Sequence, residues 1–237
     1  KIGLKDGLWT FYNNEHGNKD YEGVYKQDKR SGIWTFWYPN KNIWKVGPYL
    51  NDKKNGEWKY YNEEKQLVMQ GNFENGKEEG EWESWYDSGV KKDIGYFTKG
   101  LMNGTWKGWF ENEKQDYSGE YKLGLKDGVW EHYYDNEKPE LLETYFVKPK
   151  TSKSYLKDGK NKYAEFTKEV LISVLEGPHF SWYENGKLKD EGNYKDNVQE
   201  GKWTYYFDNG NKMYEQTFVN GRQDGKVTSW YEIGTLE

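Results

Sequence analysis

Three histidines, His16, His132 and His179, are the only side chains in this 237-residue sequence whose ordinary pKa lies near neutrality. They are scattered, and nothing pairs them into metal-ligand spacing or sets them beside a nucleophile as its base. Cysteine is absent, so disulfides and thiol chemistry are excluded, which suits either side of a membrane. The many carboxylates fall in turn-like stretches, where Asp and Glu serve turn geometry and solubility. There is no Asp-x-Asp-x-Asp-Gly calcium loop, and no phosphate-cradling glycine loop precedes a helix. The residues therefore name no catalytic group, no metal ligand and no cofactor, and the reading is of a protein that is not an enzyme.

Binding is the chemistry the composition favours. The chain holds 13 Trp, 22 Tyr and 10 Phe, while its mean hydropathy is only −1.24. Burial has to come from the rings, which remove roughly 150–250 Å² each when packed. The net charge is −5, with Lys and Glu interspersed. That provides no basic stripe for nucleic acid and no polybasic patch for anionic lipid, so neither partner is expected. No apolar run approaches the ~20 residues of a membrane-spanning helix. The pattern described next is already running at Lys1, so the sequence does not decide whether a leader precedes it, and the compartment stays open.

The rings are placed by a repeat. A Gly recurs at Gly7, Gly32, Gly56, Gly80, Gly104 and Gly128, and again at Gly177, Gly201 and Gly225, with steps of 24 or 25 residues apart from one of 49. Counting from that Gly, position +2 is Trp in seven units, from Trp9 to Trp203, with His179 and Val227 as the exceptions. Position +5 is aromatic in all nine, and position +6 usually is. A second aromatic run follows, with a Gly two residues before Tyr25, Tyr49, Phe73, Phe97, Tyr121 and Tyr194. Polar stretches rich in Asn-Gly and Asp-Gly separate the runs, a hairpin signal. Each unit of about 24 residues thus reads as one β-hairpin, stable only when stacked on its neighbours. A bulge near +5 would bring its two aromatic ladders together.

The predicted fold is all-β: an elongated, twisted and curved single sheet of tandem antiparallel hairpins. Residues 1–147 and 177–237 form two runs of repeats, and 148–176 is a degenerate repeat or insertion. Within the break, Lys157-Asp158-Gly159 echoes the repeat without a Trp. Residues 164–176 carry both helical and strand signals; the resumption of register at Gly177 favours strand.

The phrase Gly-x-Trp-x-x-aromatic-aromatic, with a later Gly-x-Tyr/Phe, resembles the MORN repeat, and more closely its bacterial variant. Gly201, Trp203, Tyr206, Phe207, Asn209, Gly210, Phe218, Gly221 and Gly225 carry the likeness well. The resemblance implies a hairpin ribbon with an aromatic groove, and scaffolds that hold proteins, often self-associate and in some proposals contact lipid headgroups. Glu143 and Gln216 depart from it where a second-run Gly is expected.

The near-invariant +2 tryptophans read as core. The +5 tryptophans Trp37, Trp85, Trp109, Trp182 and Trp230 share a face with polar neighbours and are the candidate contact residues for a protein or peptide partner. Strand addition at an open end of the sheet would also pair two copies of the chain. A carbohydrate or cell-wall binding array stays open as an alternative, because Trp faces bind sugars and cations, as does an antitoxin-like role in neutralising a partner protein.

Overall fold

The computed structural model describes residues 3–13, 17–157 and 163–237; His16 and the Asp158-Gly159 pair lie outside them, as do the side chains of 154–157 and 163–166. Among the described residues there are 18 strands and no helix. The strands follow one another as hairpins in one open antiparallel sheet. Two compact units divide the chain, Lys1–Asp116 and Tyr117–Glu237.

The local plan is the same throughout. A nine-residue strand such as Lys77–Trp85 runs into a five-residue connection, then an eight-residue strand such as Lys91–Thr98. Two-residue turns with both φ positive join one unit to the next, for example Asn75-Gly76 at 52° and 85°. Such turns match the right-handed twist of the strands they connect.

The motif Gly does something else. Gly80 (φ 75°) and Gly104 (φ 74°) lie inside their strands, where the register slips: Trp82 pairs with Gly71, but Glu79 pairs with Asn72. They sit at β-bulges. The Asp-Gly and Asn-Gly pairs at Gly7, Gly104, Gly128 and Gly225 are therefore not hairpin turns, as their composition suggests; the same tolerance of positive φ serves a bulge. A second slip falls between +4 and +5, near the position at which a bulge would bring the two aromatic ladders together.

The 49-residue step is a lengthened hairpin. Strands Pro139–Lys157 and Tyr163–Trp182 continue pairing from Val147↔Ser173 out to Lys157↔Tyr163, in place of a two-residue turn. Residues 164–176 are strand: the spacing of Val170, Leu171, Val174 and Leu175 also suits a helix, but a paired partner strand satisfies their backbone.

Candidate partner-binding surfaces

Six of the seven +2 tryptophans are core; Trp9, in the first hairpin, is exposed. Trp34, Trp58, Trp130 and Trp203 are 0–2% exposed. Each lies across the second-run Gly of the neighbouring strand, whose missing Cβ makes room for the indole, and donates its Nε1–H to a nearby backbone carbonyl, as Trp82 does to Asn72 at 3.1 Å. Edge-on rings fill the spaces between them, with Phe73 5.1 Å from Trp82 and Phe97 5.3 Å from Trp106. In the first unit the geometry is that of a T-shaped aromatic stack running from Trp9 to Trp106.

Two residues before the motif Gly, four units carry a cation that lies over their own rings. Lys5 is 4.9 Å from the Tyr25 ring, Arg30 4.1 Å from Tyr49, Lys54 4.5 Å from both Trp58 and Phe73, and Lys126 4.0 Å from Trp130. Burial draws the Lys54 ammonium down to about 8, helped by Lys45 and opposed by Glu78. Its Nζ donates to the Tyr60 hydroxyl at 2.6 Å, and burial pushes that phenol up to about 12. The cation holds this position in four of the nine units, at Lys5, Arg30, Lys54 and Lys126, and its spacing is visible in the sequence.

The +5 tryptophans lie just past the second slip, all half-buried. Trp85 and Trp109 line one recess of about 550 Å³, with Lys91 and Glu113 among its polar lining. Trp37 stands apart beneath the Lys19 ammonium, 5.4 Å from its ring. In the second unit Trp182 stacks on Phe180, and Trp230 lies under Lys212. So the structure brings together two of the five candidates. The +6 tyrosines do not share the face of the +2 rings, as simple alternation predicts. They leave the strand, and their hydroxyls reach the backbone of the next unit: Tyr38 to Tyr61 O, Tyr86 to Trp109 O and Tyr183 to Tyr206 O, at 2.8–2.9 Å.

The family model described as "MORN repeat variant" matches residues 30–51, 54–75, 126–146, 175–196 and 199–220. Five matches, each beginning at or within a residue of the cation position, coincide with the hairpin units seen here. The chain is a MORN-repeat protein. MORN repeats are generally protein- or membrane-binding modules. No curated protein matches. Among solved structures, one similar chain comes from the "Crystal Structure of TcdB2-TccC3", 11% identical, with 97% of this chain and 15% of that chain covered. The TM-score is 0.21, so the likeness carries no argument.

One place breaks the MORN pattern with titratable groups. His179 stands where other units have Trp, and Glu143, its register partner, stands where they have Gly. The buried imidazole has Nε2 2.8 Å from Asp190 Oδ1, and Nδ1 3.5 Å from Glu143 Oε1, too far for a hydrogen bond. Tyr145 donates to Glu143 at 2.7 Å and Ser181 to Asp190 at 2.6 Å. Burial alone lowers the imidazole pKa, but the two carboxylates outweigh it and raise His179 to about 9. The imidazole beside it holds the Glu143 carboxyl below its ordinary range; burial pushes Asp190 up, but its hydrogen bonds with His179 and Ser181 outweigh that and leave it lowered too. The sequence shows both departures, but only the register makes them neighbours.

Proposed function

We propose that this MORN-repeat chain is a non-enzymatic scaffold that holds a protein or peptide partner against its +5 tryptophans, foremost Trp85 and Trp109. The observation that carries this reading is the recess they share: two half-buried indoles line one open space, set by the strands that carry them. Rings already held in place lose little entropy on binding, and Trp is enriched among the residues that anchor protein interfaces. A non-enzymatic role is supported by the polar cluster at His179. There the Ser181 hydroxyl donates to Asp190 and not to the imidazole, which its carboxylates hold protonated, so no serine–imidazole nucleophile pair is formed.

The test compares capture from a lysate of the source cell by the wild-type chain and by the double variant Trp85→Ala, Trp109→Ala, with circular dichroism to confirm folding. A protein retained by the first and at least about 30-fold less by the second supports the proposal. Equal retention by a folded variant overturns it.

A further inference from the structure

A cavity of about 500 Å³ opens on the +2 face of the first unit, lined among others by Lys54, Phe73, Glu78, Trp82, Asp93 and Phe97. Its position follows from two losses in the repeat. The +4 ring present as Phe11, Phe36 and Tyr60 becomes Ser84 and then Gly108, which removes two successive rungs from the aromatic ladder. The cation of position −2, present as Lys5, Arg30 and Lys54, becomes Glu78 and then Met102. Among the described residues no Lys or Arg lies over Trp82 or Phe97, whereas Arg30 and Lys54 cover the equivalent rings of the two preceding units. In the two preceding units Tyr49 and Phe73, under their cations, are buried, while Phe97 is half-buried.

The charge at the opening has also changed sign. Glu78 stands in the row that elsewhere holds ammonium or guanidinium groups. Asp93 pairs in register with both Ser84 and Gly108, and its carboxylate accepts a hydrogen bond of 2.8 Å from the Ser84 hydroxyl. Glu83, also at the cavity, is matched by Lys91 at 2.6 Å. Lys54 is the single Lys or Arg in the cavity's lining, which also holds Glu78 and Asp93.

The geometry points to a docking site for a Lys or Arg side chain of a partner protein, which lies over Trp82 and Phe97 where sibling units place a cation of their own. Carboxylates opposite an aromatic floor favour a cation over a neutral group of the same shape. The protein source of that cation rests on the scaffold reading; the site does not.

The test uses the full chain and the blocked peptide Gly-Gly-Arg-Gly-Gly, followed by the indole N–H resonances in heteronuclear NMR. The Trp82 indole is an ordered reporter because its Nε1–H is bonded to Asn72. We expect a saturable shift centred on Trp82. The same peptide with citrulline for arginine binds at least about tenfold more weakly. Glu78→Lys abolishes binding, since it installs the cation that Lys54 supplies to its own unit, and for the same reason it folds. Glu78→Gln, which removes charge without closing the site, weakens binding severalfold. Equal binding of the citrulline peptide, no saturable shift, a shift centred on another tryptophan, or full binding by Glu78→Lys overturns the assignment. Methylguanidine bound as tightly as the peptide overturns the protein source. Loss of peptide binding in a chain that still captures a partner through Trp85 and Trp109 refutes this site alone.

Discussion

The indole of Trp82 lies so close over Gly71 that a Cβ on that glycine would stand 2.2 Å from Cδ2 of the ring. The same relationship joins Gly23 to Trp34, Gly95 to Trp106 and Gly192 to Trp203. It explains why the second-run Gly and the +2 Trp recur together. Gly71→Ala must displace a buried ring held by its neighbours, so it should destabilise the first unit by about 3 kcal/mol or more. Gly104 is conserved in the repeat for a different reason, with φ 74° and nothing near its absent Cβ. Gly104→Ala should cost only about 1–2 kcal/mol, and Gly104→Asn less, because the cost is backbone strain. Urea unfolding of the three variants checks the order.

Where His179 and Glu143 replace that pair, stability acquires a pH dependence. The imidazole is raised to about 9 in the fold from about 6.5 unfolded, so its contribution is complete below about pH 6.5 and is lost as pH rises through about 9. Glu143 and Asp190 are lowered, so their contributions hold above the ordinary carboxylate range and are lost as pH falls through their depressed values. The second unit should therefore be most stable between about pH 5 and 6.5. The double variant Glu143→Gly, His179→Trp restores the ring-on-glycine pair. It should flatten the alkaline limb and, since Asp190 keeps the Ser181 hydroxyl as Asp93 keeps that of Ser84 in the Trp82 unit, be neutral to about 4 kcal/mol more stable, as is usual when a buried ion pair becomes apolar packing. Thermal unfolding between pH 5 and 9.5 reads both.

The period, the hairpins and the buried Trp row were legible because they rest on residue types repeated at fixed spacing, such as Trp58, Trp82 and Trp106. What spacing could not reveal is register. Gly80 and Gly104 look like turn glycines until the strand is seen to begin three residues earlier and to bulge at them. His179 and Glu143 lie 36 positions apart, and only the lengthened hairpin between them makes them a pair. The cavity at Trp82 is likewise a set of departures, Glu78, Ser84, Asp93 and Gly108, that become one place only when strands Lys77–Trp85, Lys91–Thr98 and Leu101–Trp109 are aligned. Of the five +5 tryptophans, the spacing predicted equivalence, but side chains at +12 and +11, such as Lys19 and Lys212, cover some and not others.

The hydroxyl of Tyr86 ties its unit to the next through the carbonyl of Trp109 at 2.9 Å. Tyr86→Phe keeps the ring and removes only that link, leaving the carbonyl without this donor. The expected loss is about 1 kcal/mol. Because repeat arrays gain cooperativity from contacts between neighbours, the unfolding transition should also broaden, which a lower denaturant slope would register. An unchanged slope with the same loss of stability would place the tyrosine's role within its own unit.

Lys54 sets the pH response of the cavity beside it. Its ammonium is lowered to about 8, so it discharges over a range in which an arginine ligand keeps its charge. The groups that face it are Lys45 and Arg30, which lower it, Glu78, which raises it, and Tyr60, whose phenol at about 12 stays neutral throughout. As pH rises from 7 to 9 the repulsion between Lys54 and a docked guanidinium falls away. Affinity for the arginine peptide should therefore increase about threefold to tenfold over that range. In Lys54→Met, which keeps the length of the stem and removes the charge, the affinity should start high and stay flat. A rise of equal size in that variant would locate the titrating group elsewhere. A fall with pH in the wild-type chain would mean that Lys54 assists the ligand instead of opposing it, as it would for an anion.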